Sequence, residues 1–237
     1  DVLLGTGSVS QFGSAPAILI DGDGTAIAIG QVSLITDTDD ADYDEDLLYA
    51  FVNQGAIAAD GILDNIDATA FSVADATLTG GINNTRTMSA TVYRSGDDLS
   101  SNVPTNDAHA RVIVIGNAAI AERINNAGII AARGIEANDT VYLDRDNILQ
   151  ANRILVTAID IEAGGSVVTI DNTGSITAAV TGRLGEATAI RDASGTLLTV
   201  NNHNQIQAAG LSSDVLGGEV TDFTATAIDV SANTAGF

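Results

Sequence analysis

The stretch "IDNTGSITA", residues 170–178, returns four more times along the chain. Its counterparts read "FVNQGAIAA" (51–59), "INNTRTMSA" (82–90), "INNAGIIAA" (124–132) and "VNNHNQIQA" (200–208). When the copies are aligned, the positions they share lie at even offsets, which is the period of a β-strand with one face turned inward. A pattern that recurs this often indicates a repeat architecture in which each copy is one structural unit.

Two positions of the repeat define its columns. One is an apolar anchor, found at Ile57, Met88, Ile130, Ile176 and Ile206. The other is an asparagine four residues earlier, found at Asn53, Asn84, Asn126, Asn172 and Asn202. Because stacked units place like residues on like, we predict an interior column of anchors and a structural ladder of asparagines at a corner. There each side-chain amide can bond the next unit and satisfy backbone groups that a turn leaves unpaired.

A second repeat, Thr-Ala-apolar, alternates with the first. It begins at Thr25, Thr69, Thr157, Thr188 and Thr226. The stretch "RVIVI" (111–115) fills the place of a missing copy, and one copy departs from the pattern because Asp192 replaces an apolar residue. The distance to the next asparagine is nearly constant, 15 residues from Thr69 to Asn84 and 14 from Thr188 to Asn202. The distance from an anchor to the next Thr-Ala unit varies from 12 to 27 residues, so each unit has a rigid part and a variable part.

This spacing predicts an all-β fold, a parallel β-helix (β-solenoid) of about six coils with loop insertions at one corner. Stacked about 4.8 Å apart, six coils make a rod roughly 25–30 Å long. We predict an N-terminal segment or cap over residues 1–24 and a single β-helix domain over 25–237, within a longer chain or an assembly. An Ala-rich helix over 117–137 is the alternative for that segment, although Asn125, Asn126 and Gly128 are poor residues for a helix interior.

The composition excludes several classes of function. The chain has 31 acidic residues against 9 basic ones, a net charge of −22, and all nine basic residues are arginine. It therefore lacks the basic footprint of a nucleic-acid-binding protein. The absence of cysteine excludes disulfides and thiolate metal sites. No apolar run approaches the roughly 18 residues of a transmembrane segment.

Units such as "TAIDI" (157–161) followed by "VTIDNTGSITA" (168–178) resemble the passenger regions of bacterial autotransporters and related large surface proteins. The resemblance covers roughly residues 25–230. It implies a right-handed β-helix displayed outside the cell, at the bacterial surface, as a structural or adhesive protein. A β-helix also has two open ends with unpaired strand edges. We therefore expect self-association, or continuation of the same chain, at those ends, as in a layer or a fibre.

An acidic run over residues 37–46 is the candidate metal site. Ca²⁺ takes six to eight oxygen ligands, which clustered carboxylates can supply. The candidate Ca²⁺ ligands are Asp37, Asp39, Asp40, Asp42, Asp44 and Asp46. The short stretch "DGDG" (21–24) is equally suggestive. A solvated acidic loop without metal explains the same residues, so Ca²⁺ stays a hypothesis here.

The variable segments 91–110, 133–156 and 211–225 all leave the same corner, which makes them candidates for binding a glycan or a cell-surface partner. Their notable side chains are Tyr93, Arg94, His109, Tyr142, Asp144, Arg145 and Asp146. Loops with no partner are the plain alternative.

A carbohydrate-binding or polysaccharide-cleaving β-helix is the alternative function. In that case Asp144, Arg145 and Asp146 would carry the chemistry, because glycoside hydrolysis needs two carboxylates at a set separation. A calcium-stabilised passenger whose loops bind another cell is the third hypothesis. We predict His109 in a loop without a nucleophile beside it and His203 as part of the scaffold, so we do not expect an enzyme.

Overall fold

The computed structural model describes residues 7–31, 48–62, 66–94, 107–136, 153–182, 184–212 and 222–234. These residues form nineteen strands in three sheets, and every strand pairing among them is parallel. No hairpin is present in this part of the chain, so strands pair only with strands from neighbouring repeats.

Sheets A and B each contain six strands. Sheet A consists of β1 (Ser8–Phe12), β5 (Ala56–Gly61), β9 (Thr87–Arg94), β12 (Ile129–Glu136), β15 (Ser175–Gly182) and β18 (Gln205–Ser212). Sheet B consists of β2 (Ile18–Asp21), β6 (Ala68–Ala74), β10 (Ala108–Ile115), β13 (Ile154–Ile161), β16 (Leu184–Asp192) and β19 (Asp222–Asp229).

Sheet C is shorter and is interrupted in its first two coils. It consists of β3 (Ile27–Ile29), β4 (Phe51–Asn53), β7 (Ala76–Leu78), β8 (Ile82–Asn84), β11 (Ile120–Asn126), β14 (Ser166–Asn172) and β17 (Thr199–Asn202). The chain passes from sheet A to sheet B to sheet C and then enters sheet A again one coil further along. Five complete passages and a sixth that reaches sheet B, among the described residues, confirm the predicted parallel β-helix.

The core is a stack of inward-facing columns. The anchor Ile57 pairs with Met88, and the same column continues through Ile130 and Ile176. These four side chains are at most 2% exposed. Each is covered by the coil before and the coil after, and full burial of one such side chain contributes about 1.5–3 kcal/mol. Val9 extends this column into the first coil.

The first coil corrects one part of the sequence alignment. The unit at Thr25 does not join the other Thr-Ala units in sheet B, because Ile27 pairs with Ala76 in sheet C. Ile18 takes the sheet B position and pairs with Phe71. Both segments alternate apolar residues, so the pattern alone could not separate them. Residues 1–24, predicted as a segment or cap, contribute β1 and β2 to sheets A and B.

The alternative helix over 117–137 is wrong. That segment contains β11 and β12, which lie in sheets C and A. Its asparagines and its glycine form the corner between the two strands, as in the other copies of the repeat.

The insertions at one corner all connect a sheet A strand to a sheet B strand. They are shorter than predicted, because β9, β12 and β18 extend into them from one side and β10, β13 and β19 from the other. Segments 95–106, 137–152 and 213–221 lie outside the described residues. The segment 32–47 also lies outside them, and it separates β3 from β4 within sheet C.

Candidate functional site on the outer face of sheet B

The five aligned asparagines fall on one line of strand register, at the corner between sheets C and A. Asn53 Nδ2 donates to Asn84 Oδ1 over 2.8 Å, and Asn84 Nδ2 donates to Asn126 Oδ1 over 2.7 Å. Asn126 donates to Asn172, and Asn172 to Asn202, each over 2.8 Å. Every donation runs toward the C-terminal coil. The first four asparagines are buried and Asn202 is exposed.

Backbone acceptors take up the second amide hydrogen of the buried asparagines. Asn126 Nδ2, for example, also reaches Ser175 O at 3.2 Å. Glycine permits this close stacking, because a Cβ on Gly128 would lie 1.9 Å from Arg86 O and one on Gly174 would lie 2.0 Å from Gly128 O. The amides therefore satisfy one another and the backbone, which makes this column a structural element.

Asp192, the inward residue that breaks the Thr-Ala pattern, closes a turn. Its Oδ1 accepts from Ser194 N (3.0 Å), Ser194 Oγ (2.6 Å) and Gly195 N (2.9 Å). Its Oδ2 accepts from Leu197 N at 3.0 Å, and the residue is 1% exposed. A carboxylate at this core position is thus fully hydrogen-bonded and has no chemistry to offer a ligand.

The predicted Ca²⁺ ligands Asp37, Asp39, Asp40, Asp42, Asp44 and Asp46 lie outside the described residues. In "DGDG", Asp21 Oδ1 accepts from Asp23 N at 2.8 Å, and Gly24 N donates to Asp75 Oδ2 at 2.9 Å. These carboxylates close a turn. Within the described ranges, no group of three or more acidic or histidine side chains is placed to hold a metal ion.

The predicted loop residues divide between strands and segments that are not described. Tyr93 and Arg94 end β9. His109 lies within β10, so its prediction as a loop residue is wrong. His203 is at the corner after β17, where its backbone N–H donates to Asn172 O at 2.8 Å. Tyr142, Asp144, Arg145 and Asp146 lie outside the described residues.

An arginine packs on a tyrosine ring near the interruption of sheet C. The Arg123 guanidinium lies over the ring of Tyr49, 4.5 Å from its centroid. Burial raises the pKa of the Tyr49 phenol, and the charge of Arg123 opposes that rise. Arg123 Nε also donates to Gly80 O at 3.2 Å. These contacts fasten the interrupted strands to β11.

The outer face of sheet B carries a grid of polar side chains across β10, β13 and β16. Strand register aligns them in three rows: His109, Leu155 and Glu186; Arg111, Thr157 and Thr188; Val114, Asp160 and Arg191. Two consecutive buried residues, Val112 and Ile113, interrupt the alternation of β10, and β13 and β16 show the same interruption. The strands bend there, because alternation would otherwise place these two side chains on opposite faces.

A depression of about 160 Å³ lies at this bend. Its lining comes from the same three strands and consists of His109, Arg111, Leu155, Val156, Thr157, Asp160, Glu186, Thr188 and Arg191. It combines concavity with polar groups from three successive coils.

Three ion pairs hold this face together. Arg191 grips the fully buried Asp160 with two bonds, Nε to Oδ1 at 2.8 Å and Nη2 to Oδ2 at 2.7 Å. The bond to Asp160 raises the pKa of the Arg191 guanidinium, which burial opposes. Arg111 Nη1 pairs with Glu162 Oε1 at 3.0 Å, and Arg153 Nη1 pairs with Glu186 Oε1 at 2.6 Å. Three positive charges thus face three negative ones.

Several polar groups of the depression remain without a partner among the described residues. Arg111 Nε is buried and makes no hydrogen bond. The His109 imidazole and the hydroxyls of Thr157 and Thr188 likewise have no partner in the described ranges. The sequence offered one signal for this site: Arg111 replaces the threonine that opens the other Thr-Ala units.

No protein-family model, curated protein or solved structure matches this chain. In the part that the structure describes, no helix could span a lipid bilayer.

Proposed function

We propose that the chain is an extracellular structural or adhesive surface protein whose β-helix displays loops and joins further protein end-on, in a layer or a fibre. The observation that carries this proposal is the state of the core at the two ends of the rod. The resemblance of the repeat to surface-protein passengers supports the extracellular setting, and a net charge of −22 favours solubility there.

Among the described residues, the interior columns are incompletely covered at both ends. The partly buried apolar residues that pack against the core are Ala17, Ile18, Ile20, Ile29, Ala50, Phe51, Val200, Ile206, Ala208, Phe223, Ile228 and Val230. All of them lie in the terminal strands or turns of the three sheets. Ile206, for example, continues the anchor column of Ile176 but lacks a coil beyond it in the described residues.

In the part of the chain that the structure describes, the strand edges are unpaired at the same places. β1, β2 and β3 are edge strands at one end, and β17, β18 and β19 are edge strands at the other. Soluble proteins cap, charge or pair such edges because an open edge is a template for another strand. A further coil stacked on either end would pair the edge and cover the apolar columns in one step.

The test is light scattering and electron microscopy of the purified chain, with NaCl and Ca²⁺ titrated and a chelator added last. Salt matters because copies with a net charge of −22 repel each other until that charge is screened. We expect elongated particles that grow with protein concentration. Reversal by the chelator would give Ca²⁺ a part in assembly, whereas growth in NaCl alone would leave the end faces as the driving element.

A matched pair of variants locates the contact. Leu19→Lys places a charge on the edge strand β2, where the leucine is 54% exposed. Ile120→Lys makes the corresponding change on β11 in the middle of the rod, where the isoleucine is 44% exposed. We expect Leu19→Lys to block growth and Ile120→Lys to leave it unchanged. A wild-type chain that stays monomeric under every condition would contradict the proposal of end-on assembly.

A further inference from the structure

We propose that the depression on the outer face of sheet B binds a neutral sugar, one ring at a time. This site is independent of end-on assembly, because its residues lie on β10, β13 and β16 in the middle of the rod. The inference rests on the groups without partners, the charge balance, and the shape of the depression.

The groups without partners match the chemistry of a polyol. The His109 imidazole lines the depression and offers two ring nitrogens for hydrogen bonds. Thr157 and Thr188 are neighbours in register, and each offers a hydroxyl that can both donate and accept. A sugar hydroxyl has the same dual character, so neighbouring hydroxyls of one ring can exchange hydrogen bonds with the two threonines and with the His109 imidazole.

The charge balance favours a neutral ligand over an anionic one. Arg111, Arg153 and Arg191 are already paired with Glu162, Glu186 and Asp160. An anion would meet no unpaired positive charge on these three arginines, and it would approach a chain of net charge −22. A neutral ligand avoids that repulsion and leaves all three ion pairs in place.

The shape limits the size of the ligand. A volume of about 160 Å³ is smaller than the roughly 300–1,000 Å³ of pockets that enclose a drug-sized molecule. Leu155 stands between His109 and Glu186 in the same row and gives an apolar contact for the C–H face of a ring. One sugar ring therefore fits, and we expect weak binding, with a dissociation constant on the order of 1 mM.

Polysaccharide cleavage is not part of this proposal. Asp160 and Glu186, the two carboxylates that line the depression, are each bonded to an arginine. Cleavage of a glycosidic bond needs one carboxyl group to give up a proton while the other acts as a base or nucleophile. The ion pairs keep these two groups in a structural role.

The experiment uses ligand-detected NMR on the full chain with the methyl glycosides of glucose, galactose and mannose as neutral probes. Glucuronate serves as the acidic probe. We expect at least one neutral probe to bind and to shift the ring resonances of His109, and glucuronate to bind at least about fivefold more weakly. Absence of binding by all three neutral probes overturns the proposal, and so does a preference for glucuronate.

Variants place the binding in the depression. Thr157→Val removes a hydroxyl and keeps a β-branched side chain, so it preserves the strand. Thr177→Val is the control, because Thr177 has similar partial exposure on β15 in sheet A. We expect Thr157→Val to weaken the sugar about fivefold and the double variant Thr157→Val with Thr188→Val to abolish detectable binding. Equal binding by the wild type, both Thr157 variants and the control would show that the sugar sits elsewhere and overturn the assignment.

Discussion

The asparagine ladder and the outer face of sheet B both run across the coils, but they use the repeat differently. The ladder has one residue type in five successive coils, and each buried amide is bonded to its neighbours. In sheet B, one row has threonine in four coils and arginine in one, in the order Thr69, Arg111, Thr157, Thr188 and Thr226. Its contacts are ion pairs between different positions, such as Arg111 with Glu162.

The difference teaches where function can lie in a repeat protein. A column of identical residues satisfies itself, so it adds stability and leaves little for a ligand to bind. A row that departs from the repeat at one coil can leave a group such as Arg111 Nε without a partner. A departure on the outer face, such as Arg111, is therefore a better marker of a site than a buried and fully bonded one such as Asp192.

Breaking the ladder in its middle is expected to have the largest effect. Asn126→Ala removes the acceptor of Asn84 Nδ2 and the donor to Asn172 Oδ1 in a buried setting. Each buried polar group left unpaired costs about 1–3 kcal/mol, so the free energy of unfolding should fall by about 3 kcal/mol in urea denaturation. Asn202→Ala, at the exposed end of the ladder, should lower it by less than about 1 kcal/mol. Equal losses would show that the ladder does not act as a buried column.

Substitution of Asp192, the buried residue that departs from the apolar pattern, should have the second-largest effect on stability. Asp192→Ala leaves the backbone N–H groups of Ser194, Gly195 and Leu197 without their acceptor. We expect a loss of about 2 kcal/mol, at the upper end of what removal of a capping side chain costs. Asp192→Asn keeps a carbonyl oxygen in place and should lose clearly less. If a Val substitution at this position, which restores the apolar column, were as stable as the wild type, the turn would not depend on the carboxylate.

Removal of the two partners of the Arg191–Asp160 ion pair should lower the free energy of unfolding by different amounts. Arg191→Ala leaves the fully buried Asp160 without its ion-pair partner. Asp160→Ala instead leaves an arginine whose side chain is 44% exposed to water. We expect about 1–2 kcal/mol for Arg191→Ala, a value discounted for that exposure, and less than about 1 kcal/mol for Asp160→Ala. Thermal unfolding of both single variants and the double variant measures the coupling. Equal losses for the two single variants would contradict the burial argument.

The smallest expected effect is a pH dependence at the last described coil. The hydrogen bond from Ser231 N, 3.0 Å long, holds the pKa of Asp229 below its usual 3.8. A lowered folded pKa means that the charged form stabilises the protein above the unfolded pKa, and this contribution disappears as the pH falls through the folded pKa. Asp229→Asn should therefore be less stable than the wild type at pH 7 by less than about 0.5 kcal/mol. The difference should vanish in strong acid, and its persistence there would show another origin.

Much of the architecture could be predicted because one constraint repeats. Each coil must turn an apolar face inward, so even-offset positions such as Ile130 and Ile176 carry the register directly, and the structure pairs them. The prediction that the unit at Thr25 aligns with the other Thr-Ala units was wrong, because the first coil has two segments with the same alternation. Only the long-range pairing of strands assigns Ile18 to sheet B.

The site on sheet B could not be predicted from sequence spacing. Arg111 and Glu162 are 51 residues apart, on either side of an insertion whose length follows no rule. Their meeting depends on which coils are adjacent and on where β10 and β13 bend. The departure of Arg111 from the threonine row was visible, but its partner was not.

The parallel register has a consequence for how such a rod changes over evolution. Ile129 and Ser175 occupy the same position in successive coils, so deletion of residues 129–174 would join Gly128 to Ser175 at equivalent points. Contacts in such arrays run mainly between neighbouring repeats, so every surviving column would close over the gap. Recombination between repeats can therefore lengthen or shorten the protein in whole-coil steps of about 4.8 Å. Length is then a heritable trait that can vary without redesign of the fold.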